Sequence, residues 1–294
     1  MTDAMLAVTV ILWSLNITVT KYLLDEGWSP LSYGVIRYFL AILLFAGYTF
    51  QRERSFKIER RDIKLVLLAG GFIFGNQMCF VYGLHFTPAS TIALLLGALP
   101  MCIGVISAVL RLEHLGTGFW VGAVVTSGGV AIVALASGSV GATVGGIALG
   151  IGLAVTWGAY TITIAPLMRR YSPYRISTLV LAVGWVPLAA CGAPQIAAQH
   201  FSFGWLAWLG FAYAVVGPLF MTNILWFTAI ARVGPSRAAL FANFEPFVAA
   251  VFALVLLSER LYLLEVVGGA LIFAGIAFER IWKKPTAEAI SALD

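Results

Sequence analysis

Apolar residues run through this chain in long blocks, and short polar or charged stretches separate them. Glycine, proline and charged residues divide the sequence into ten apolar segments, each close to the roughly 20 residues that an α-helix needs to span a bilayer. The pattern predicts an all-α integral membrane protein with ten transmembrane helices, at residues 4–24, 30–50, 63–84, 89–110, 116–137, 144–168, 173–193, 203–230, 235–257 and 261–282.

Composition agrees with this interpretation. Of the 294 residues, 61% are hydrophobic and only 11% are charged, and the mean hydropathy is +0.96. A soluble domain would carry about a quarter of charged residues. The first apolar run follows an acidic residue and contains Trp13 and Asn16, so it is predicted to be a retained spanning helix rather than a cleaved signal peptide.

The distribution of basic residues predicts the orientation. Fifteen of the 18 lysines and arginines follow the second, fourth, sixth, eighth or tenth segment, and these positions share one side of the membrane if ten spans alternate. Cytoplasmic loops are enriched in Lys and Arg, so both termini are predicted to be cytoplasmic. The net charge of +5 is thereby explained by membrane topology, and no nucleic-acid partner is expected.

An internal repeat divides the chain into two halves. A shift of 146 residues aligns 90–133 with 236–279 without a gap and pairs Pro100 with Pro246, Gly122 with Gly268 and Gly129 with Gly275. Five helices per half is an odd number, so the second half enters the membrane from the opposite face. We therefore predict two inverted five-helix repeats, residues 1–138 and 139–294, around a central cavity, as in secondary transporters.

These features resemble the EamA-type branch of the drug/metabolite transporter superfamily. The resemblance rests on the inverted halves and on the shared ending "P…(R/L)LE(H/R)L…VGxxxxxxG". The aromatic-rich stretches "ILWSLN" and "TWGAYT" are most similar to those of YddG-type aromatic amino-acid exporters. The resemblance implies a carrier of the bacterial inner membrane that exports amino acids or related metabolites through a cavity lined chiefly by helices 1, 3, 4, 6, 8 and 9.

Polar and aromatic side chains within the apolar segments are the candidates for substrate binding, because such residues are costly in lipid. They are Trp13, Asn16, Asn76, Gln77, Tyr82, Thr91, Trp157, Tyr160, Asn223, Phe241 and Glu245. Together they predict a cavity with aromatic walls and a few polar groups. Such a cavity suits a flat organic solute with a zwitterionic head, because rings stack and amides bind the charged groups.

Each candidate also has a structural interpretation. The two tryptophans either line the cavity or pack between helices, and the amides either bind substrate or join helices. Arg37 either extends outward to the membrane surface or attracts a substrate carboxylate. Glu245 either meets a substrate ammonium or a proton, or accepts backbone N–H groups near a kink. Trp28 is expected in the interfacial aromatic belt.

Two further expectations concern the helix ends and breaks. Pro100 and Pro246 interrupt corresponding helices, and a proline within a helix removes a backbone hydrogen bond, so both are predicted hinges for alternating access. Glu113 and Glu259 lie near segment ends and are expected to cap or pair locally.

Other classes of protein fit less well. None of the five lysines follows a glycine, which excludes the ATP-binding GxxxxGK[ST] motif. The scattered cysteines and histidines offer no metal or catalytic cluster, so we expect no enzyme activity, cofactor or metal. The expected partners are a small-molecule substrate and the lipid bilayer. Efflux of quaternary-ammonium or other organic cations remains the alternative, through cation–π attraction and Glu245.

Overall fold

The computed structural model describes residues 2–111, 116–137, 143–233 and 244–282. Throughout these residues the regular structure is helical. The helices are α1 (Thr2–Asp25), α2 (Pro30–Glu53), α3 (Ile63–Phe86), α4 (Ala89–Leu96), α5 (Leu99–Val109), α6 (Thr117–Ser137), α7 (Val144–Met168), α8 (Pro173–Ala198), α9 (Trp205–Val215), α10 (Thr222–Val233), α11 (Glu245–Leu256) and α12 (Leu263–Trp282). A short 3₁₀ turn, Arg60–Asp62, precedes α3, and a π-helical segment, Val216–Met221, joins α9 to α10.

Several of these helices can cross a membrane. In the described residues, six helical stretches are long and apolar enough, and α4 with α5 forms a seventh that is bent by 41°. The apolar stretches of α6, α11 and α12 are shorter, at Thr117–Val133, Glu245–Leu256 and Leu263–Phe278. The chain is therefore a multi-pass, all-helical membrane protein, while the count of ten spans stays a prediction.

The bend between α4 and α5 has a local cause. Pro100 stands in the first turn of α5, where its ring has no N–H to donate to a carbonyl of the preceding turn. The chain instead turns at Gly97 and Ala98, whose backbone N–H groups donate to Leu94 and Leu95. The break lies within one predicted segment, at the proline that the sequence singled out.

The π-helical segment likewise contains a proline, Pro218. Its carbonyl oxygen accepts hydrogen bonds from the Trp13 indole at 3.2 Å and from the Thr222 hydroxyl at 2.6 Å. A π-helical turn widens the backbone and leaves a carbonyl outside the regular ladder. The segment thereby fixes α1 against the α9–α10 region.

Two antiparallel helix pairs join the first part of the chain to the second. Helices α2 and α8 are linked at one end by Ser29 and Gln199, and at the other by the Glu53–Arg175 ion pair. Helices α6 and α12 cross at Gly129 and Gly268, where a Cβ on either glycine would stand within 2.8 Å of the other's carbonyl oxygen. Small residues allow such close approach in membranes.

Trp28 differs from the sequence-based expectation. Its side chain is only 2% exposed and lies between the rings of Phe203 and Phe211, with centroid separations of 4.7 and 4.8 Å. Stacking of this kind anchors the loop after α1 against α9. The sequence did not reveal this burial, because the rings that cover Trp28 come from the distant 201–211 stretch.

Candidate functional site

A cavity of about 190 Å³ lies where the two parts of the chain meet. Its walls come from α1, α2, α3, the α4–α5 break, α7, the π-helical segment, α11 and α12. The lining residues are Trp13, Asn16, Ile17, Arg37, Tyr38, Asn76, Gln77, Phe80, Leu96, Gly97, Leu99, Pro100, Leu153, Trp157, Pro218, Leu219, Glu245, Pro246, Phe273 and Ile276. Six of the predicted site residues and both predicted hinge prolines are among them.

Aromatic rings form part of the wall. Trp13 is oriented by the hydrogen bond to Pro218 and packs on Trp226 with ring centroids 5.1 Å apart. Trp157, on α7, packs on Tyr160 with ring centroids 5.4 Å apart. Each tryptophan therefore contacts a second ring and also borders the cavity, so packing and lining are combined in the same side chains.

Glu245 contributes a carboxylate at the first turn of α11. Its side chain is half-buried, and no described residue forms an ion pair or hydrogen bond with the carboxylate. The backbone carbonyl of Glu245 accepts a hydrogen bond from Ser14 at 3.0 Å, which holds α11 against α1. No described backbone N–H donates to the carboxylate, in contrast to the structural role considered from the sequence.

Arg37 contributes the opposite charge, and its side chain points into the protein, the second of the two directions considered from the sequence. The side chain is only 4% exposed and borders the cavity. Its Nε donates to the carbonyl of Ala214 at 3.1 Å, and one Nη donates to Oδ1 of Asn16 at 3.2 Å. The guanidinium also lies 5.5 Å from the Tyr33 ring centroid. The two hydrogen-bond partners come from α9 and α1, and they hold the arginine inside the protein.

The amides have different roles. Asn76 donates to Leu153 and Thr156 of α7 at 3.1 and 3.3 Å, so it joins two helices while it borders the cavity. Gln77 also borders the cavity and is 2% exposed. Its amide nitrogen has no hydrogen-bond partner among the described residues. Asn76 therefore joins α3 to α7 at the edge of the cavity, whereas Gln77 keeps an unused donor.

Four predicted site residues lie away from this cavity. The Tyr82 hydroxyl accepts from Gln195, Thr91 is buried and donates to Glu265, and Asn223 donates to the carbonyl of Leu219 on its own turn. Tyr160 packs behind Trp157. The partners of Tyr82 and Thr91 are distant in sequence, whereas those of Asn223 and Tyr160 lie within one helical turn. Phe241, the remaining prediction, lies outside the described residues, as does Glu113.

The structure adds lining residues that the sequence analysis did not select. Besides Arg37 they are mostly apolar or aromatic, namely Ile17, Tyr38, Phe80, Leu96, Gly97, Leu99, Leu153, Pro218, Leu219, Phe273 and Ile276. Apolar residues in an apolar segment carry no signal of their own. Tyr38, directly after Arg37, is the exception, because a polar hydroxyl group within an apolar segment marks it as a candidate.

A second cavity, of about 430 Å³, lies near the start of α4 and is bordered by Lys21, His85, Glu259 and Arg260. The Glu259 carboxylate accepts from the backbone N–H groups of Ala89 and Ser90 at 2.8 and 2.9 Å, and from the Ser90 hydroxyl at 2.6 Å. Glu259 therefore caps α4, as expected of a residue near a segment end, but the helix it caps is 170 positions away rather than local.

Apolar spans around an internal cavity with aromatic and charged walls define the class, a multi-pass membrane transporter. The chain belongs to the EamA-like transporter family, which matches residues 1–135 and 144–279. Among the described residues, no group of three His, Cys, Asp or Glu side chains is arranged to hold a metal ion.

Individual relatives agree with this family. An uncharacterized transporter of Archaeoglobus fulgidus is 26% identical over 277 residues, which cover 92% of this chain and 95% of the relative. A probable terminal-alkyne amino-acid exporter of Streptantibioticus cattleyicolor is 27% identical over 220 residues, covering 74% of this chain and 72% of the relative. A crystal structure with a TM-score of 0.66 and 18% identity covers 95% of this chain and 97% of its own, so the two share a fold.

Proposed function

We propose that this protein is a secondary transporter that exports amino acids, with aromatic amino acids favoured, and related small metabolites. The observation that carries the proposal is the aromatic-walled cavity with a Glu245 carboxylate that no described residue neutralises. An isolated carboxylate away from bulk water is costly, so it fits a site whose cationic partner arrives with the substrate. The substrate ammonium is that partner in this proposal.

The size of the cavity supports a small substrate. At about 190 Å³ it is smaller than the pockets of about 300–1,000 Å³ that hold drug-sized ligands. Its tryptophans supply flat apolar surface against which a ring can stack. The name of the Streptantibioticus cattleyicolor relative, a probable terminal-alkyne amino-acid exporter, favours amino acids as the class. The preference for aromatic ones, and the likeness to YddG-type exporters, rest on the walls of the cavity and on the sequence.

The proposed architecture is two inverted five-helix halves, residues 1–138 and 139–294, with ten spans in total. The 146-residue shift turns Gly122 into Gly268 and Gly129 into Gly275, and the close contacts are Gly122 with Gly275 and Gly129 with Gly268. Exchange of the halves therefore maps one contact onto the other, as a two-fold axis in the membrane plane requires. The same exchange of halves maps the contact between α3 and α7 onto the contact between α1 and the α9–α10 region.

Alternating access would follow from this symmetry. The proposed hinges are Pro100, at the bend between α4 and α5, and Pro246, at the start of α11. Both border the cavity, so a change of angle at either one alters access to the site. From the distribution of basic residues, both termini face the cytoplasm, and the proposed location is the bacterial inner membrane.

Efflux of organic cations such as methyl viologen is the second candidate, because an aromatic wall and a carboxylate also attract a cation without a carboxyl group. Counterflow into proteoliposomes that contain purified protein, with labelled phenylalanine, tryptophan, threonine and methyl viologen, separates the two. We expect saturable exchange of phenylalanine and tryptophan, weaker exchange of threonine and none of methyl viologen. Exchange of methyl viologen alone would contradict the proposal and favour the alternative.

A further inference from the structure

Two opposite charges border the central cavity, and they do not pair with each other. Arg37 projects from α2 and Glu245 from α11, and no ion pair between described residues involves either side chain. Within the described part of the chain, a carbonyl and an amide oxygen accept from the arginine, and the glutamate carboxylate has no partner there. Buried charges are normally paired, so an unpaired cation and an unpaired anion at one cavity require an explanation.

Helix α1 contacts both the Arg37 side chain and the backbone of α11 at Glu245. The guanidinium donates to Asn16, whereas the backbone at Glu245 accepts from Ser14. Residues two positions apart on a helix point in nearly opposite directions, since each residue turns the helix by about 100°. The Arg37 side chain and the α11 backbone at Glu245 therefore contact different faces of α1, while both side chains border the same cavity.

The arginine retains capacity to bind an anion. A guanidinium has five N–H donors, and contacts to described residues use Nε and one Nη. Those contacts, together with the Tyr33 and Phe80 rings at 5.5 and 5.9 Å, fix the side chain in place. Because a preorganised guanidinium matches a carboxylate in shape and charge, it can receive one without a large loss of conformational entropy. Gln77 adds an unused amide donor on the neighbouring helix α3.

We infer that Arg37 and Glu245 are specificity-determining residues that make the cavity selective for zwitterions over organic cations and organic anions. In this arrangement Arg37 binds the carboxylate of the substrate and Glu245 binds its ammonium. A cation without a carboxylate is attracted by Glu245 but repelled by Arg37. An anion without an ammonium is attracted by Arg37 but repelled by Glu245. The inference rests on the proposed amino-acid transport and adds the reason why the second candidate, cation efflux, is disfavoured.

Binding measured by isothermal titration calorimetry in nanodiscs at neutral pH tests the inference with three ligands of one shape. They are phenylalanine, phenethylamine, which lacks the carboxylate, and 3-phenylpropionate, which lacks the ammonium. Wild type is expected to bind phenylalanine on the order of 30-fold more tightly than either analogue, the loss expected when a desolvated charge loses its partner.

The variants should exchange these preferences. Arg37→Gln is expected to weaken the binding of phenylalanine and to strengthen the binding of phenethylamine, because the cation that repels phenethylamine is removed. Glu245→Gln is expected to weaken the binding of phenylalanine and to strengthen the binding of 3-phenylpropionate. Arg52→Gln, on the exposed end of the same helix α2, and Glu59→Gln, on the exposed 54–62 loop, are the matched controls and should leave all three affinities unchanged.

The outcomes separate the inference from the proposed function. Wild type that binds none of the three ligands contradicts amino-acid transport and the inference with it. Wild type that prefers phenylalanine, with variants that weaken all ligands alike, contradicts the inference alone and assigns Arg37 a structural role. If Arg37→Gln does not fold, Glu245→Gln decides by itself, and a phenylalanine affinity equal to wild type then overturns the inference.

Discussion

At the scale of single residues, three glutamates of the described residues differ in the donors that surround them. Glu259 and Glu265 are satisfied by the protein, since Glu259 caps α4 and Glu265 accepts from the Thr91 hydroxyl and the Tyr262 N–H at 3.0 and 3.1 Å. Glu245 has no such donors among the described residues. The contrast distinguishes carboxylates that hold helices together from one that is available to a substrate.

The structural role of Glu259 is testable. Its carboxylate accepts from the first N–H groups of α4 and also lies at the positive end of that helix. Glu259→Gln removes the charge and one acceptor and is expected to cost about 1 kcal/mol of stability, seen as a lower melting temperature of the purified protein. Glu26→Gln, on an exposed loop, is the control. An unchanged melting temperature for Glu259→Gln would mean that the cap contributes nothing.

Some candidate site residues can be selected from the sequence because the residue type itself carries the signal. Trp13, Asn16 and Glu245 stand out in apolar segments, and all three border the cavity. The sequence left the direction of Arg37 open and predicted Thr91 at the cavity, which Thr91 does not border, because the direction of a side chain depends on neighbours that are far away in sequence. Ala214, which accepts from Arg37, is 177 positions distant, and Glu265 is 174 positions from Thr91.

At the scale of helices, the crossing of α6 and α12 depends on the absence of side chains at one line of contact. A Cβ at Gly129 would stand 2.6 Å from the carbonyl oxygen of Gly268, whereas a Cβ at the adjacent Gly128 would have no atom within 4 Å. The two neighbouring glycines therefore give a matched pair of tests on the same helix.

We expect Gly129→Ala to destabilise the protein by about 1–3 kcal/mol, the usual cost of overpacking. Gly128→Ala should keep or slightly raise the stability, because alanine favours a helix. Thermal melting in detergent measures both. Equal melting temperatures for the two variants would show that the glycine contact does not control this crossing.

The bend between α4 and α5 gives a second prediction at this scale. Pro100→Ala restores the missing N–H and is expected to straighten the break, so transport should change more than the melting temperature does. Pro187→Ala is the control, since Pro187 lies within α8 and does not border the cavity. Unchanged exchange kinetics in well-folded Pro100→Ala protein would contradict the role of this proline as a hinge.

Helix positions were largely predictable because each apolar block is bounded by charge, glycine or proline. The predicted segment 144–168 coincides with α7, and 116–137 differs from α6 by one residue. The break at residues 97–98 was predicted only as a kink at Pro100. The widened turn at Val216–Met221 was not predicted, because its geometry depends on contacts with Trp13 and with neighbouring helices.

At the scale of the whole molecule, the central claim is that the meeting point of the two halves binds and exchanges amino acids. The repeat was visible from the sequence because Pro100 and Gly129 recur at one constant shift. The charges of the cavity were harder to predict from the sequence. Glu245 lies on the ninth predicted segment, which the family resemblance places at the cavity, but Arg37 lies on the second, which it does not. Arg37 and Glu245 have no counterparts of the same charge at the corresponding positions of the proposed repeat, so the proposed symmetry of the halves would not extend to the charges of the site.

Counterflow of labelled phenylalanine in proteoliposomes tests this claim most directly. Vesicles loaded with unlabelled phenylalanine should accumulate the label transiently and saturably with wild type and with the Glu59→Gln control. Glu245→Gln protein with an unchanged melting temperature should lose most of this exchange. Wild-type vesicles that accumulate no more label than protein-free vesicles would contradict the account.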